Sequence, residues 1–309
     1  MLLLLIGTVN DALARTHDEK LRMAIGSVHV EWLSNLAARG VLPKGFSVLD
    51  LGPQDVQVTR DYFTEVCIRH LGRELAPTAV DDVFDNESPR TTGQPAFYRV
   101  FGATRYASVD LADQRATFAH DLNAPMPEIG QYDVVTNFGT AEHVFDIATA
   151  FRSMHRLLKP GGLSLHCMPA FAFIDHGFYN VHPVFFVELA KANAYEIVDF
   201  SYVDNMFVRN RHHTAGVFDF DALPIRLEDT TNTQTFMTKV VDLFRRNLET
   251  TRAEDVHGYS CFIFDLLFVA LRRTGASPIS LKPAIQGSST PQPKPEPAAA
   301  SVEASTGGG

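Results

Sequence analysis

Four acidic or amide side chains stand where apolar runs end. Asp50 follows Phe46, Val48 and Leu49; Asp110 closes RYASVD; Asp121 ends ATFAHD; Asn137 and Phe138 close YDVVTNF. An acid just past a strand can accept both hydroxyls of a ribose. Any one of these residues serves equally well as a turn former or a helix N-cap. Recurring at successive strand ends, they read as one polar edge facing a nucleoside. The loop between them, VLDLGPQDV at 48–56, keeps a single glycine, Gly52. Pro53 and Gln54 stand where further glycines would let backbone approach a ligand.

The residues suited to proton transfer are histidines placed after strands. His143, in GTAEHVFD, follows the run at 132–138, with Glu142 beside it to orient it or bind a cation. It reads either as a general base at a pocket mouth or as the cap of the next helix. The segment AFAFIDHGFYNVHP at 170–183 sets Asp175, His176, Tyr179, Asn180 and His182 among aromatic residues. That mixture suits a pocket with apolar walls and few polar groups, and His176 and Tyr179 are its candidates for catalysis. The same segment also reads as an aromatic loop closing a core. His155 and His166 fall inside a helix and a strand and read as structural.

These residues need a scaffold, and the chain alternates strand and helix signals. Strands are expected at 46–51, 105–110, 116–120, 132–138, 163–169, 195–203 and 265–273. Helices are expected at 56–73, 148–159 and 183–194, and Leu13 to Leu36 show helical spacing over 11–40. Such alternation predicts a parallel sheet with helices on both faces, with ligands at the carboxyl ends of its strands. The net charge of −9 gives no field that favours nucleic acid, and RNRHH at 209–213 is a short basic loop. Cys67, Cys167 and Cys261 lie far apart without CxxC spacing, which suits buried thiols in a reducing compartment. MLLLLIG is too short and lacks the basic start of a signal sequence, and no later run is long enough to span a membrane, so a soluble cytoplasmic protein is expected. After residue 275 the chain is rich in Pro, Ser, Ala and Gly and is expected to be disordered.

Four stretches together resemble the class I S-adenosylmethionine-dependent methyltransferases, in particular the broad small-molecule group called type 11. They are VLDLGPQDV (48–56), YASVDLADQRATFAHDLNAPMP (106–127), YDVVTNFGTAEHVFD (132–146) and RLLKPGGLSLHCMP (156–169). The resemblance implies a Rossmann-like, doubly wound, mostly parallel sheet with helices on both faces over 46–275, after an N-terminal helical extension at 1–45. It implies S-adenosylmethionine as cofactor. Asp50, Gly52 and Gln54 would then lie at its methionine part and Asp110 at the ribose. Asp121 and the Leu122 backbone would meet the adenine, with Asn137 and Phe138 beside the sulfonium. The distance from Gly52 to Asp110 exceeds the roughly 20 residues of a compact strand–helix–strand unit, so an insertion is expected at 74–103, and a second at 204–258. The short interval from Asp110 to Asp121 leaves room for a loop but no helix.

The reaction implied is methyl transfer to an oxygen or nitrogen of a small-molecule or glycan-type acceptor. The acids around His143 are incomplete, so no metal is expected. Two other classes stay open. A non-catalytic cofactor-binding scaffold would account for the depleted glycine loop, and a nicotinamide-dependent oxidoreductase would share the ribose acid but lacks its GxGxxG. Oligomeric state is not legible.

Overall fold

A computed structural model of the chain describes residues 25–72, 75–84, 94–171, 177–204, 225–226 and 265–280. Eight strands form one sheet: β1 (Ser47–Leu51), β2 (Arg105–Asp110), β3 (Phe118–Ala119), β4 (Tyr132–Phe138), β5 (Leu158–Phe171), β6 (Tyr195–Asp204), β7 (Ile225–Arg226) and β8 (Asp265–Arg273). Their order is β3-β2-β1-β4-β5-β8-β6-β7. β1 through β5 run parallel to one another, whereas β8 is antiparallel to both β5 and β6, and β7 to β6. The sheet is therefore mostly parallel, with the last strand inserted between two earlier ones. Its apolar run, Leu266 to Leu271, suits a central strand covered on both faces.

Helices α1 (Ser27–Ala38), α2 (Arg60–Leu71), α3 (Pro77–Asp81), α4 (Gln94–Val100), α5 (Ile147–Leu157) and α6 (Pro183–Asn193) complete the described elements. Trp32, Phe63, Phe97 and Tyr98 of α1, α2 and α4 pack with Val48, Val134, Leu165 and Phe268 in one core. Phe151 and Met154 of α5 and Phe186 of α6 pack with Leu49, Val109, Val135 and Leu271 in a second. Neighbouring strand residues alternate between the two cores because successive side chains point to opposite faces of a sheet.

Two expectations change in detail. The stretch read as an insertion at 74–103 contributes α4, whose Ala96, Phe97, Tyr98 and Val100 are buried in the first core. The helical spacing over 11–40 is realised as α1; residues 11–24, the 204–258 segment apart from Asp204 and β7, and the tail beyond residue 280 lie outside the described residues. The turn after Asp110 holds no helix, as its length requires.

The LLKPGG stretch explains itself in the pairing. Tyr132 pairs with Leu158, but Val134 pairs with Leu163, so 159–162 bulge out of the ladder. A Cβ on Gly162 would stand 2.8 Å from the Asp133 carbonyl and 2.9 Å from that of Lys159, which only glycine permits. Lys159 Nζ reaches Asp133 at 2.8 Å, and the Ser47 backbone and hydroxyl donate to the same carboxylate. Against the upward push of burial, these donors hold Asp133 at a pKa of about 2. This pins the amino end of β4 to β1 and β5, opposite the functional edge.

Candidate functional site

From β1 the chain crosses to β2 on one side, while β4 lies on the other, so strand order reverses at β1. A crevice opens at such a point beyond the carboxyl ends of the strands. Here it is a cleft of about 720 Å³. The loop after β1 supplies Gly52 to Asp55, the loop after β2 supplies Asp110 and Ala112 to Arg115, and the loop after β4 supplies Gly139, Thr140 and His143.

The floor is set by a knot of short bonds. Thr140 Oγ1 donates to the Leu51 carbonyl at 2.5 Å, and Gln54 Nε2 donates to that carbonyl and to Thr140 Oγ1 at 3.3 and 3.2 Å. Gly52 lies inside this knot with φ +77°, its N–H donating to the Val109 carbonyl at 2.8 Å. A Cβ there would come within 3.0 Å of both Gln54 Nε2 and Thr140 Oγ1, and 3.8 Å from Asp110 Oδ2. The glycine is favoured both by its left-handed conformation and by the two side chains, Gln54 and Thr140, that a Cβ would crowd.

Asp110 uses one carboxylate oxygen for structure and turns the other inward. Oδ1 accepts from the Ala112 and Asp113 amides, both at 2.8 Å, which fixes the side chain as an Asx turn. Oδ2 is the oxygen beside Gly52, and among the described residues it has no donor. Leu111, the next residue, is 66% exposed, and it is not among the residues that line the cleft although both its chain neighbours are. Across the loop, Arg115 binds Asp55 and Asp113, each at 2.5 Å, and the Pro53 carbonyl at 3.2 Å.

The structure gathers some sequence candidates and separates others. Gly52, Gln54, Asp110 and His143 share the cleft. Asp50 does not face it. Its carboxyl is fully buried beneath the loop, accepting from Thr136 Oγ1 and from Tyr106 at 3.4 Å, and burial raises its pKa to about 7. Asn137 is also turned away: its Oδ1 accepts from the Ala141 amide at 2.9 Å and its amide meets His166. Phe138 packs edge-on against His29 and Trp32 in the first core. The reason is strand alternation together with the chain's sharp exit at Gly139, which leaves backbone and Thr140 at the position expected of these two side chains.

Asp121 and Leu122 do not line the cleft. Asn123 donates through its backbone and side chain to Asp121, holding that exposed carboxyl below its usual range, while Leu122 is buried in the second core. His143 ends a 3-10 turn, Ala141–His143, and is exposed at the cleft, whereas Glu142 beside it is buried, so the two side chains diverge. The alternative that His143 caps the following helix is excluded, because Asp146 does so, accepting from the Thr149 amide at 3.1 Å. Tyr179 is tied down, donating to the Phe145 carbonyl at 2.6 Å. His176 and Asp175 lie outside the described residues. Among the described residues no group of three or more His, Cys, Asp or Glu gathers as a metal site would require.

Sequence reasoning missed Thr140 and Arg115. Both act through contacts between separate loops, which a linear reading does not reveal.

A mostly parallel sheet whose switch-point cleft sets an open carboxylate oxygen beside a left-handed glycine defines an α/β domain for a nucleoside-bearing ligand. Residues 22–212 match the family described as a methyltransferase domain. The chain belongs to that family, within the S-adenosylmethionine-dependent methyltransferases. Among curated relatives, a ubiquinone biosynthesis O-methyltransferase of Pseudomonas aeruginosa is 48% identical over 50 residues, 16% of this chain and 21% of that protein. The corresponding protein of Pseudomonas syringae pv. tomato is 32% identical over 100 residues, 32% of this chain and 35% of that one. The matched stretches thus span about a fifth to a third of these relatives' length. Of solved structures, a 1,6-didemethyltoxoflavin-N1-methyltransferase of Burkholderia thailandensis is similar with TM-score 0.34 and 13% identity, over 79% of this chain and 80% of that one. The N-methyltransferase NodS of Bradyrhizobium japonicum gives 0.31 and 13%, over 86% and 98%.

Among the described residues, no helix is long and apolar enough to cross a membrane. The family's methyl donor is S-adenosylmethionine, and the residues present fit it. A donor-free carboxylate oxygen suits ribose hydroxyls, and the glycine's bare Cα admits close backbone approach.

Proposed function

We propose that this chain transfers a methyl group from S-adenosylmethionine to an oxygen or nitrogen of a small-molecule or glycan-type acceptor. The observation that carries this reading is Asp110 Oδ2, held toward Gly52 across the switch-point cleft. In this reading Asp110 accepts the ribose hydroxyls. The backbone around Gly52 and Gly139 borders the methionine portion. Asp50 serves from below as a positioning residue, bracing β1 against β4 through Thr136.

When bound, the cofactor supplies an electrophilic methyl group on a sulfonium. The protein must hold an acceptor atom in line with it, and orientation of this kind contributes about 7–11 kcal/mol to a bimolecular step. In this reading His143, which lines the cleft and is exposed, takes a proton from the acceptor as the new bond forms. Such a base adds roughly 10²–10⁴-fold, and only for acceptors that still carry a proton at neutral pH. The curated relatives named above are O-methyltransferases, which supports an oxygen acceptor without naming it.

Radiolabelled methyl transfer to a panel of phenols, sugars and amines, in the wild type and His143→Ala, tests the reading. Label should appear in at least one acceptor class and fall by about 10²-fold or more in the variant. Binding of S-adenosylhomocysteine without transfer to any acceptor would favour a scaffold instead.

A further inference from the structure

Two phenylalanines stand in solvent beside the rim. Phe145 is 72% exposed and Phe178 is 65% exposed, and their rings meet edge to face at 5.7 Å and 89°. They come from different loops, one after β4 and one after β5, and three contacts bind those loops together. The Phe178 amide donates to the Glu142 carbonyl at 2.8 Å, and the Tyr179 hydroxyl donates to the Phe145 carbonyl. Gly177 lies so close that a Cβ on it would sit 3.0 Å from the Glu142 carbonyl oxygen. The backbones that carry the two rings are thus held against each other, and the rings themselves are largely exposed.

His143, two residues before Phe145 in the loop after β4, lines the cleft, so that one loop carries both a cleft residue and half of the aromatic pair. An acceptor cannot come from below, where the sheet and both cores close the cleft. It approaches from the loop side, and of the loops that line the cleft the one after β4 carries His143, the base proposed above. Paired aromatic rings left partly open favour a third flat ring in an offset or edge-on arrangement. We infer that Phe145 and Phe178 form the acceptor-binding wall and select acceptors that carry a flat aromatic ring. This rests on the methyl-transfer reading above and narrows its acceptor to that class. A ring seated on the wall presents its hydroxyl or amine toward His143, which links specificity and proton transfer in one short segment, 143–145.

The test is calorimetric titration of 2-naphthol, and of its saturated counterpart decahydro-2-naphthol, into the full chain saturated with S-adenosylhomocysteine. The inference predicts that 2-naphthol binds at least about tenfold tighter than the saturated compound. Phe145→Ala and Phe178→Ala should each weaken it about tenfold or more, with Phe145→Tyr close to wild type and cofactor affinity unchanged. Equal binding of the two compounds, no binding of 2-naphthol, or equal affinity in all variants would overturn it. So would loss of binding to phosphatidylglycerol vesicles in the alanine variants with 2-naphthol unaffected, which would make the patch a membrane contact. If S-adenosylhomocysteine itself fails to bind the wild type, the methyl-transfer reading fails, and the fault is not in the wall.

Discussion

Arg115 joins the two loops that frame the cleft, binding Asp55 from the first and Asp113 from the second, each at 2.5 Å. The Pro53 carbonyl completes its hydrogen bonds at 3.2 Å. Asp55 is nearly buried, so the guanidinium both pairs its charge and holds the glycine-poor loop against β2. Multiple fixed donors do here what extra glycines cannot, since Pro53 and Gln54 have no left-handed freedom to fold the loop around a ligand.

Arg115→Ala is therefore expected to cost about 2 kcal/mol of stability, between the limits for exposed and buried pairs. Affinity for S-adenosylhomocysteine should fall by about tenfold or more. Arg115→Lys should recover little, because one ammonium cannot serve two carboxylates and a carbonyl in this geometry. Thermal melts and calorimetry check both; a lysine variant with wild-type affinity would show that charge alone suffices.

Gly52→Ala should be worse for binding than for folding. The left-handed backbone costs roughly 1–2 kcal/mol, and the new methyl would press on Gln54 and Thr140 at 3.0 Å. The double variant Gly52→Ala/Gln54→Gly removes one of those contacts and should recover part of the lost cofactor affinity. Identical affinities in single and double variants would separate the strain from the Gln54 contact.

Asp50 makes a pH prediction with a definite sign. Its folded pKa of about 7 lies above the ordinary 3.8, owing to burial. Between those values the folded state holds a proton that the unfolded state has lost, so this group's contribution is full below pH ~4 and declines as pH rises toward 7. Two buried histidines, His29 and His166, titrate with the opposite sign, since burial lowers each to about 3 and their penalty for staying neutral eases as pH rises. The difference between wild type and Asp50→Asn isolates the carboxyl. The variant should lose less stability than wild type between pH 5 and 7, by an amount on the order of a few kcal/mol. Parallel stability–pH curves from urea unfolding would contradict the buried, protonated carboxyl.

Much of this was legible from periodicity. β2 and β4 occupy the residues that their apolar runs mark, and β8 does likewise at 265–273. What pattern could not give was β8's direction and its place between β5 and β6, because those depend on pairing between segments distant in the chain, such as Leu163 with Arg272 and Asp204 with Asp265. The site shows the same division. Asp110 and Gly52 were readable from their place at strand ends, since a strand end is a local property. Asp50, Asn137 and Phe138 were placed at the ligand by the family resemblance, yet all three side chains are buried in the interior. Arg115 and Thr140 act between loops, and no spacing rule identifies such contacts.

We propose above that Asp110 holds the ribose of S-adenosylmethionine beside Gly52. Calorimetric titration of S-adenosylhomocysteine into wild type and Asp110→Ala, with NADH as a second ligand, tests it most directly. Saturable binding of S-adenosylhomocysteine and none of NADH is expected, with affinity reduced at least about 100-fold in a variant that melts like wild type. Undiminished binding in the variant, or preference for NADH, would contradict it.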